Sequence, residues 1–241
     1  MTPTLLAALL AARAAKRPVV VATRLSDGVQ ALVAEDGAHG AALPTPVAAA
    51  AVAALADDAS GTVEHAGERW FLHAHTPPRR LVVVGAVHIA QALVPMALPL
   101  GLDLTVIDPR RAFLTAERFP GVTITDAWPD EAMDALAPDR RTAVVTLTHD
   151  PKLDDPALDR ALRSEAFYIG ALGSRRTHAA RLARLAALGH GRESLARIRG
   201  PIGLAIDAVT APEIALSILA EIVAVRRGAA IAASPADGAA A

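Results

Sequence analysis

Cysteine is absent from all 241 residues, which excludes disulfides, thiolate metal sites, a cysteine nucleophile and a persulfide carrier within the chain. Aromatic residues are scarce, at 3% of the total, and nothing resembling an aromatic-lined peptide groove can be recognised. Neither sign of charge predominates: 24 Lys and Arg stand against 25 Asp and Glu, so no overall field recruits nucleic acid or an anionic membrane. Apolar runs of the roughly 18–20 residues that a membrane span needs are also missing, because Arg, Asp, Pro or Gly interrupts each candidate. What is plentiful is hydrophobic content, 53% against 20% charged, enough for one large domain or two small ones with well-filled cores. The apolar run at residues 4–12 is followed, not preceded, by Arg13 and Lys16, unlike a secretory signal. The expected location is therefore the cytoplasm.

The first 76 residues read as a small α+β domain. A helix is expected over 3–16, then a β-branched run at 18–23 that ends near the Asp27-Gly28 turn signal, a second run at 29–34, and a second turn at Asp36-Gly37. An Ala-rich helix is expected over 45–56, followed by strands at 62–65 and 69–75 around Ala66-Gly67. His73 and His75 share a face if that last segment is a strand, a spacing compatible with a metal, but no third ligand lies nearby and exposed hairpin histidines are the better account. Pro77-Pro78-Arg79-Arg80 cannot continue a strand and marks the expected domain boundary.

From Leu81 the pattern changes to short apolar runs alternating with helical segments, as in a parallel sheet buried on both faces. Strands are expected near 81–85, 103–107, 122–124, 142–147 and 167–170, with a sixth near 203–206; helices are expected near 88–99, 128–136, 155–163 and 175–188. The last helix is well marked, with Thr210 and Glu213 as a capping box, Pro212 in the first turn, and Ile214, Ile218, Ile222 and Val225 as its apolar stripe. The fold class is thus α/β: a C-terminal Rossmann-like parallel-sheet domain over 79–227 preceded by the small α+β domain, with a disordered Ala/Gly/Ser/Pro tail over 228–241.

Ligands of open α/β sheets bind where strands end and helices begin. After the first strand, Gly85, Ala86 and His88 fit a phosphate-binding turn, although the middle glycine of G-x-G-x-x-G is replaced by Val87. The alternative is a tight strand-to-helix connection with no nucleotide. Asp108 lies 23 residues beyond Gly85, where an acid accepts from a ribose, while Arg110 or Arg111 would suit a 2′-phosphate; a solvated loop of ion pairs is the plainer account. His149 beside Asp150 could form an acid/base pair or simply cap a loop. Gly170 and Gly173, Ser174 as an expected N-cap, Arg175 and Arg176 together make a credible anion site, against an ordinary capped helix with exposed basic residues.

Several stretches taken together carry a resemblance: His149-Asp150-Pro151-Lys152-Leu153-Asp154; Tyr168-Ile169-Gly170-Ala171-Leu172-Gly173-Ser174-Arg175-Arg176; Gly200-Pro201-Ile202-Gly203-Leu204; Pro212-Glu213-Ile214-Ala215; and Ala220-Glu221-Ile222. Over residues 79–227 the chain closely resembles the C-terminal domain of the XdhC/CoxI family, accessory proteins of xanthine dehydrogenase and related molybdenum hydroxylases. The resemblance implies a Rossmann-type chaperone that binds molybdenum cofactor (molybdopterin) as cargo and delivers it to a hydroxylase apoenzyme. It admits a cysteine desulfurase as a further partner, and homo-oligomerisation. The contacts it implies are Gly85, Ala86, His88, Asp108, Arg110, His149, Asp150, Gly173, Ser174, Arg175 and Arg176, with no catalytic residue and no resident metal. Two departures stand out. The family usually has glycine where this chain has Val87, and its N-terminal domain usually carries Gly-Gly-Cys-Val-Glu, so any role that needs that thiol does not transfer to a chain without cysteine. The alternative reading is an NAD(P)-dependent oxidoreductase or nucleotide-binding regulatory protein; a pure protein-interaction module is a third.

Overall fold

The computed structural model describes residues 1–230; of the tail expected over 228–241, residues 231–241 lie outside the described residues. The chain forms two compact units that meet in sequence between Pro77 and Pro78.

The first unit holds α1 (Pro3–Ala14), β1 (Val19–Arg24), β2 (Gln30–Ala34), β3 (Gly37–Gly40), α2 (Thr45–Asp57), β4 (Gly61–His65) and β5 (Glu68–His75). Its five strands form one antiparallel sheet in the order β3-β2-β1-β5-β4. Alternation along the strands sends Val20, Ala22, Val33, Trp70 and Leu72 to the face that packs on Val47, Ala51 and Leu55 of α2. Val19, Val21 and Leu32 point the other way, onto Leu5, Leu9 and Ala12 of α1. Central β1 is therefore apolar at every position that both helices cover. The rings of His73 and His75 stand 4.0 Å apart, and burial, followed by His73 and then Arg13, holds His75 below the ordinary imidazole value. Among the described residues no group of three or more His, Asp or Glu is placed to hold a metal.

The second unit alternates strand and helix: β6 (Arg79–Val84), α3 (His88–Ala97), β7 (Leu102–Ile107), β8 (Thr123–Thr125), α4 (Pro129–Leu136), β9 (Thr142–Thr146), α5 (Pro151–Arg163), β10 (Tyr168–Ala171), α6 (Arg175–Ala187), α7 (Arg192–Leu195), β11 (Ile198–Arg199) and α8 (Ala211–Arg226). The six strands are parallel in the order β11-β10-β9-β6-β7-β8, a Rossmann-like sheet. Leu81, Val83, Val106, Val145 and Tyr168 face α3 and α8, whereas Val82, Val84, Val144 and Ile169 face α4 and α5. Both faces are covered, which explains why residues 81–84 of β6 and 143–145 of β9 are apolar without alternation. Among the described residues no helix is long and apolar enough to cross a membrane.

The sixth strand is not at 203–206, as the apolar Leu204 and Ile206 suggest, but at Ile198–Arg199. Pro201 has no N–H for a ladder, and Gly203 adopts φ +93°, so the backbone leaves the sheet before Leu204. A side chain at Gly203 would also lie 2.4 Å from Ser217 Oγ on α8. Helix α5 starts at Pro151, four residues before the expected range of 155–163, because Pro151 suits a first helical position and the Asp150 carboxylate accepts from the amide of Lys152 at 2.9 Å.

Asp159 on α5 ties this layer together, accepting from Arg160 Nη1 at 2.7 Å and Arg163 Nη2 at 2.9 Å, with His190 Nε2 2.8 Å away. Burial pushes its carboxyl up, but hydrogen bonds from Arg163 and His190 outweigh that and hold it below the ordinary value. A depressed folded-state pKa contributes stability that is present above the unfolded value of about 3.9 and lost as pH falls through the folded one. Asp159→Asn is therefore expected to lose about 1–3 kcal/mol at pH 7, and urea denaturation should show the gap to wild type narrowing as pH drops below about 4.

Candidate functional site

The strand order reverses between β6 and β9, so the carboxyl ends of those two strands flank the crevice where this fold class places ligands. The turn after β6 is pressed against the turn after β9. Gly85 has φ +113°, and a Cβ there would meet Thr148 Cγ2 at 2.5 Å, so the close approach requires glycine. The Gly85 amide donates to Ile107 O, and the Ala86 amide donates to Asp108 Oδ2 at 2.8 Å. Val87 occupies the N-cap of α3 without a capping side chain, and His88 is exposed at the first helical position.

Asp108 is fully buried at the end of β7. Besides the Ala86 amide, its carboxylate accepts from the Arg110 amide at 3.0 Å and from Arg110 Nε and Nη2 at 2.9 and 2.7 Å. Burial pushes this carboxyl up, and the hydrogen bonds from Arg110 and Ala86 more than reverse it, leaving it below the ordinary carboxylate value. The residues that the spacing offers to a ribose and a 2′-phosphate thus hold each other and fix the first turn.

In the turn after β9, His149 sits in the left-handed region at φ +61° and is exposed. Its neighbour Asp150 caps α5, and Thr148 Oγ1 donates to Asp154 Oδ1 at 2.6 Å. His149 and Asp150 therefore do different things. After β10, Gly173 has φ +136°; a Cβ there would lie 3.1 Å from Thr177 Cγ2 and 3.7 Å from His149 Nδ1, so this glycine lets the third turn lie beside the second. Ser174 caps α6 by accepting from the Thr177 amide at 3.2 Å, and Arg175 and Arg176 are exposed in its first turn.

Between the starts of α5 and α6 lies a cleft of about 260 Å³ lined by His149, Asp154, Arg176, Thr177, Arg181 and Arg184. It brings together two sequence-predicted positions, His149 and Arg176, with Asp154 of the 149–154 stretch and with Thr177, Arg181 and Arg184, which local pattern does not single out. Arg181 is the unusual one. Its side chain is 2% exposed and lies 3.5 Å from Asp154 Oδ2, while its Nη2 donates to Leu172 O at 2.8 Å. Nε and Nη1 of Arg181 are buried and have no hydrogen-bond acceptor among the described residues, nor does Asp154 Oδ2 have a donor. Burial pushes the Asp154 carboxyl above its ordinary value, offset only in part by Thr148 and Arg181. The one signal in the sequence is helical spacing, since Thr177, Arg181 and Arg184 recur at intervals of four and three and so share a face of α6.

Residues 81–222 match the model of the XdhC Rossmann domain. The chain belongs to that family. Among curated proteins, it is 37% identical over 150 residues to the molybdenum cofactor insertion chaperone PaoD of Escherichia coli (strain K12), covering 62% of this chain and 41% of that protein. It is 30% identical over 162 residues to a probable xanthine dehydrogenase subunit of Bacillus subtilis (strain 168), covering 67% of this chain and 47% of that one. The chain thus spans less than half the length of these relatives. Among solved structures, a xanthine dehydrogenase from Bacillus halodurans aligns with a TM-score of 0.69 and 25% identity over 92% of this chain and 63% of that chain. The XdhC domain is the segment that carries all three turns of the crevice, so the match and the geometry fall on the same residues.

Proposed function

We propose that this XdhC-domain protein is an accessory factor that holds molybdenum cofactor as cargo and assists its insertion into a xanthine dehydrogenase-type molybdenum hydroxylase. The observation that carries the reading is the cleft at the ligand edge of the XdhC domain, lined by Arg176, Arg181 and Arg184 with Asp154, where Arg184 is paired with Asp155 outside the lining. A pterin cofactor bearing a phosphate is anionic, and cationic side chains at a helix N-terminus suit it. The PaoD relative, named an insertion chaperone, supports the same class of cargo. In this reading Gly85 and Gly173 let the turns close on the ligand, Ala86, Asp108 and Arg110 hold the first turn, and His88 and His149 present exposed polar groups. Asp150 and Ser174 fix the helix starts, and Arg175 and Arg176 supply charge. The role is binding and delivery in the cytoplasm to the apo form of the client; a cysteine desulfurase and a second copy of this chain are further partners to be tested by pull-down and sedimentation.

The test is twofold. The purified protein should carry a pterin that becomes fluorescent on oxidation, and a deletion strain should accumulate hydroxylase lacking its cofactor. Full cofactor loading in the deletion strain overturns the reading. NADH and NADPH are expected to show no saturable binding at millimolar concentration, because Asp108 is already engaged by Arg110 and two amides.

A further inference from the structure

The α5–α6 cleft has a chemistry that can be read more finely, on the footing of the cargo reading above. Its floor is a guanidinium that the protein itself leaves underused: two of the three Arg181 nitrogens are buried without an acceptor. An unsatisfied buried donor ordinarily costs stability, more so when charged, and Asp154 Oδ2, itself without a donor, stands 3.5 Å from the third nitrogen, Nη2, which already donates to Leu172 O. The Thr148 hydroxyl holds Asp154 through its other oxygen, Oδ1. Above this floor the first turn of α6 contributes its dipole, the Thr177 hydroxyl and the exposed Arg176. Arg184 at the rim is committed to Asp155, with Nη2 donating to Oδ1 at 3.0 Å.

We infer that this cleft is a phosphate monoester subsite, in which Arg176 and Thr177 contact the phosphate oxygens, Arg181 supplies the buried positive charge beneath them, and Asp154 tempers the affinity. A monoester suits the site better than a diester because a dianion best matches several cations converging on one small pocket. A cleft of about 260 Å³ has room for a phosphate and for the part of the ligand next to it, and the rest extends past His149 toward the crevice between β6 and β9. The opposing carboxylate makes the site one that can release what it holds, as delivery requires.

The test follows the thermal midpoint of the full chain in inorganic phosphate, against chloride at equal ionic strength. Phosphate at a hundred times its Kd should raise the midpoint by roughly 5–10 °C beyond chloride. Arg176→Ala, an exposed position, should weaken phosphate binding about tenfold or more. Asp154→Asn should strengthen phosphate binding several-fold even though the variant is less stable without ligand, a combination that a purely structural role for Asp154 does not produce. Phosphate no better than chloride, or an unchanged Kd in both variants, overturns the assignment. Two further probes separate the sources of the group. Molybdopterin released from a hydroxylase, a monoester, should compete with phosphate, and NADH, a diester, should not; stronger competition by NADH overturns the monoester assignment. Pterin that copurifies undiminished with Arg176→Ala overturns the subsite but leaves the accessory role standing. Phosphate binding without any copurifying pterin supports the subsite and counts against that role.

Discussion

Glu221→Ala is expected to lower the thermal midpoint by about 10 °C, corresponding to a loss of about 3–5 kcal/mol. Glu221 lies on α8 with its carboxylate buried, and three separate parts of the second unit depend on it. Tyr168 on β10 donates its hydroxyl at 2.6 Å, the Gly203 amide donates at 2.9 Å, and Arg199 on β11 donates from Nη1 at 3.3 Å. Burial, and then the Glu221 charge, push the Tyr168 pKa well up, so the tyrosine keeps its proton and serves as donor throughout the working pH range. Alanine removes all three acceptor contacts and leaves a buried hydroxyl, an amide and a guanidinium without them. The conservative Glu221→Gln keeps an oxygen for Gly203 or Tyr168 but loses the charge, and should cost about 1–2 kcal/mol. Scanning calorimetry on both variants checks this; equal losses would mean that packing, not the acceptor network, is what Glu221 supplies. The network also fixes residues 200–204, which take the chain from the last strand toward α8.

That segment shows where sequence reading succeeds and where it stops. Apolar runs such as Val82-Val83-Val84 and Ala143-Val144-Val145 announce strands buried on both faces, and the Thr210–Glu213 capping box announces α8; both are local signals, and the structure contains both elements. Leu204 and Ile206 look equally strand-like, but Pro201, Gly203 and the pull of Glu221 decide the backbone there, and Glu221 is 18 residues away in sequence from Gly203. Strand β3 was invisible for the opposite reason: Gly37-Ala38-His39-Gly40 is exposed throughout and has no apolar alternation to detect. In the site, the glycine turns and the Ser174 cap were legible because each obeys a short-range rule. Arg181 was not, because in an Ala- and Leu-rich helix it reads as a surface charge. Only the placement of α5 beside α6 buries it against Asp154, 27 residues earlier.

That burial sets up the second large effect. Arg181→Met should cost about 3–5 kcal/mol at pH 7, since it strips the Asp154 carboxylate of its counter-charge and leaves it desolvated. The pH dependence distinguishes this from a packing defect. Asp154 already has its pKa raised, chiefly by burial, and losing Arg181 raises it further. For a carboxyl raised in the folded state, the favourable contribution is present below the unfolded pKa and lost as pH rises through the folded one. The deficit of Arg181→Met should therefore be largest above the raised folded-state pKa of Asp154 and shrink as pH falls through it, at higher pH than the narrowing expected for Asp159→Asn, whose carboxyl is held below its ordinary value. Combining it with Asp154→Asn should recover part of the loss, because asparagine can still accept from Thr148 Oγ1 while no charge remains to be buried. Urea denaturation of the four proteins in this cycle gives the interaction energy directly, expected at about 1.5–3 kcal/mol. A value near zero would show that Arg181 and Asp154, despite lying 3.5 Å apart, are each stabilised by something else.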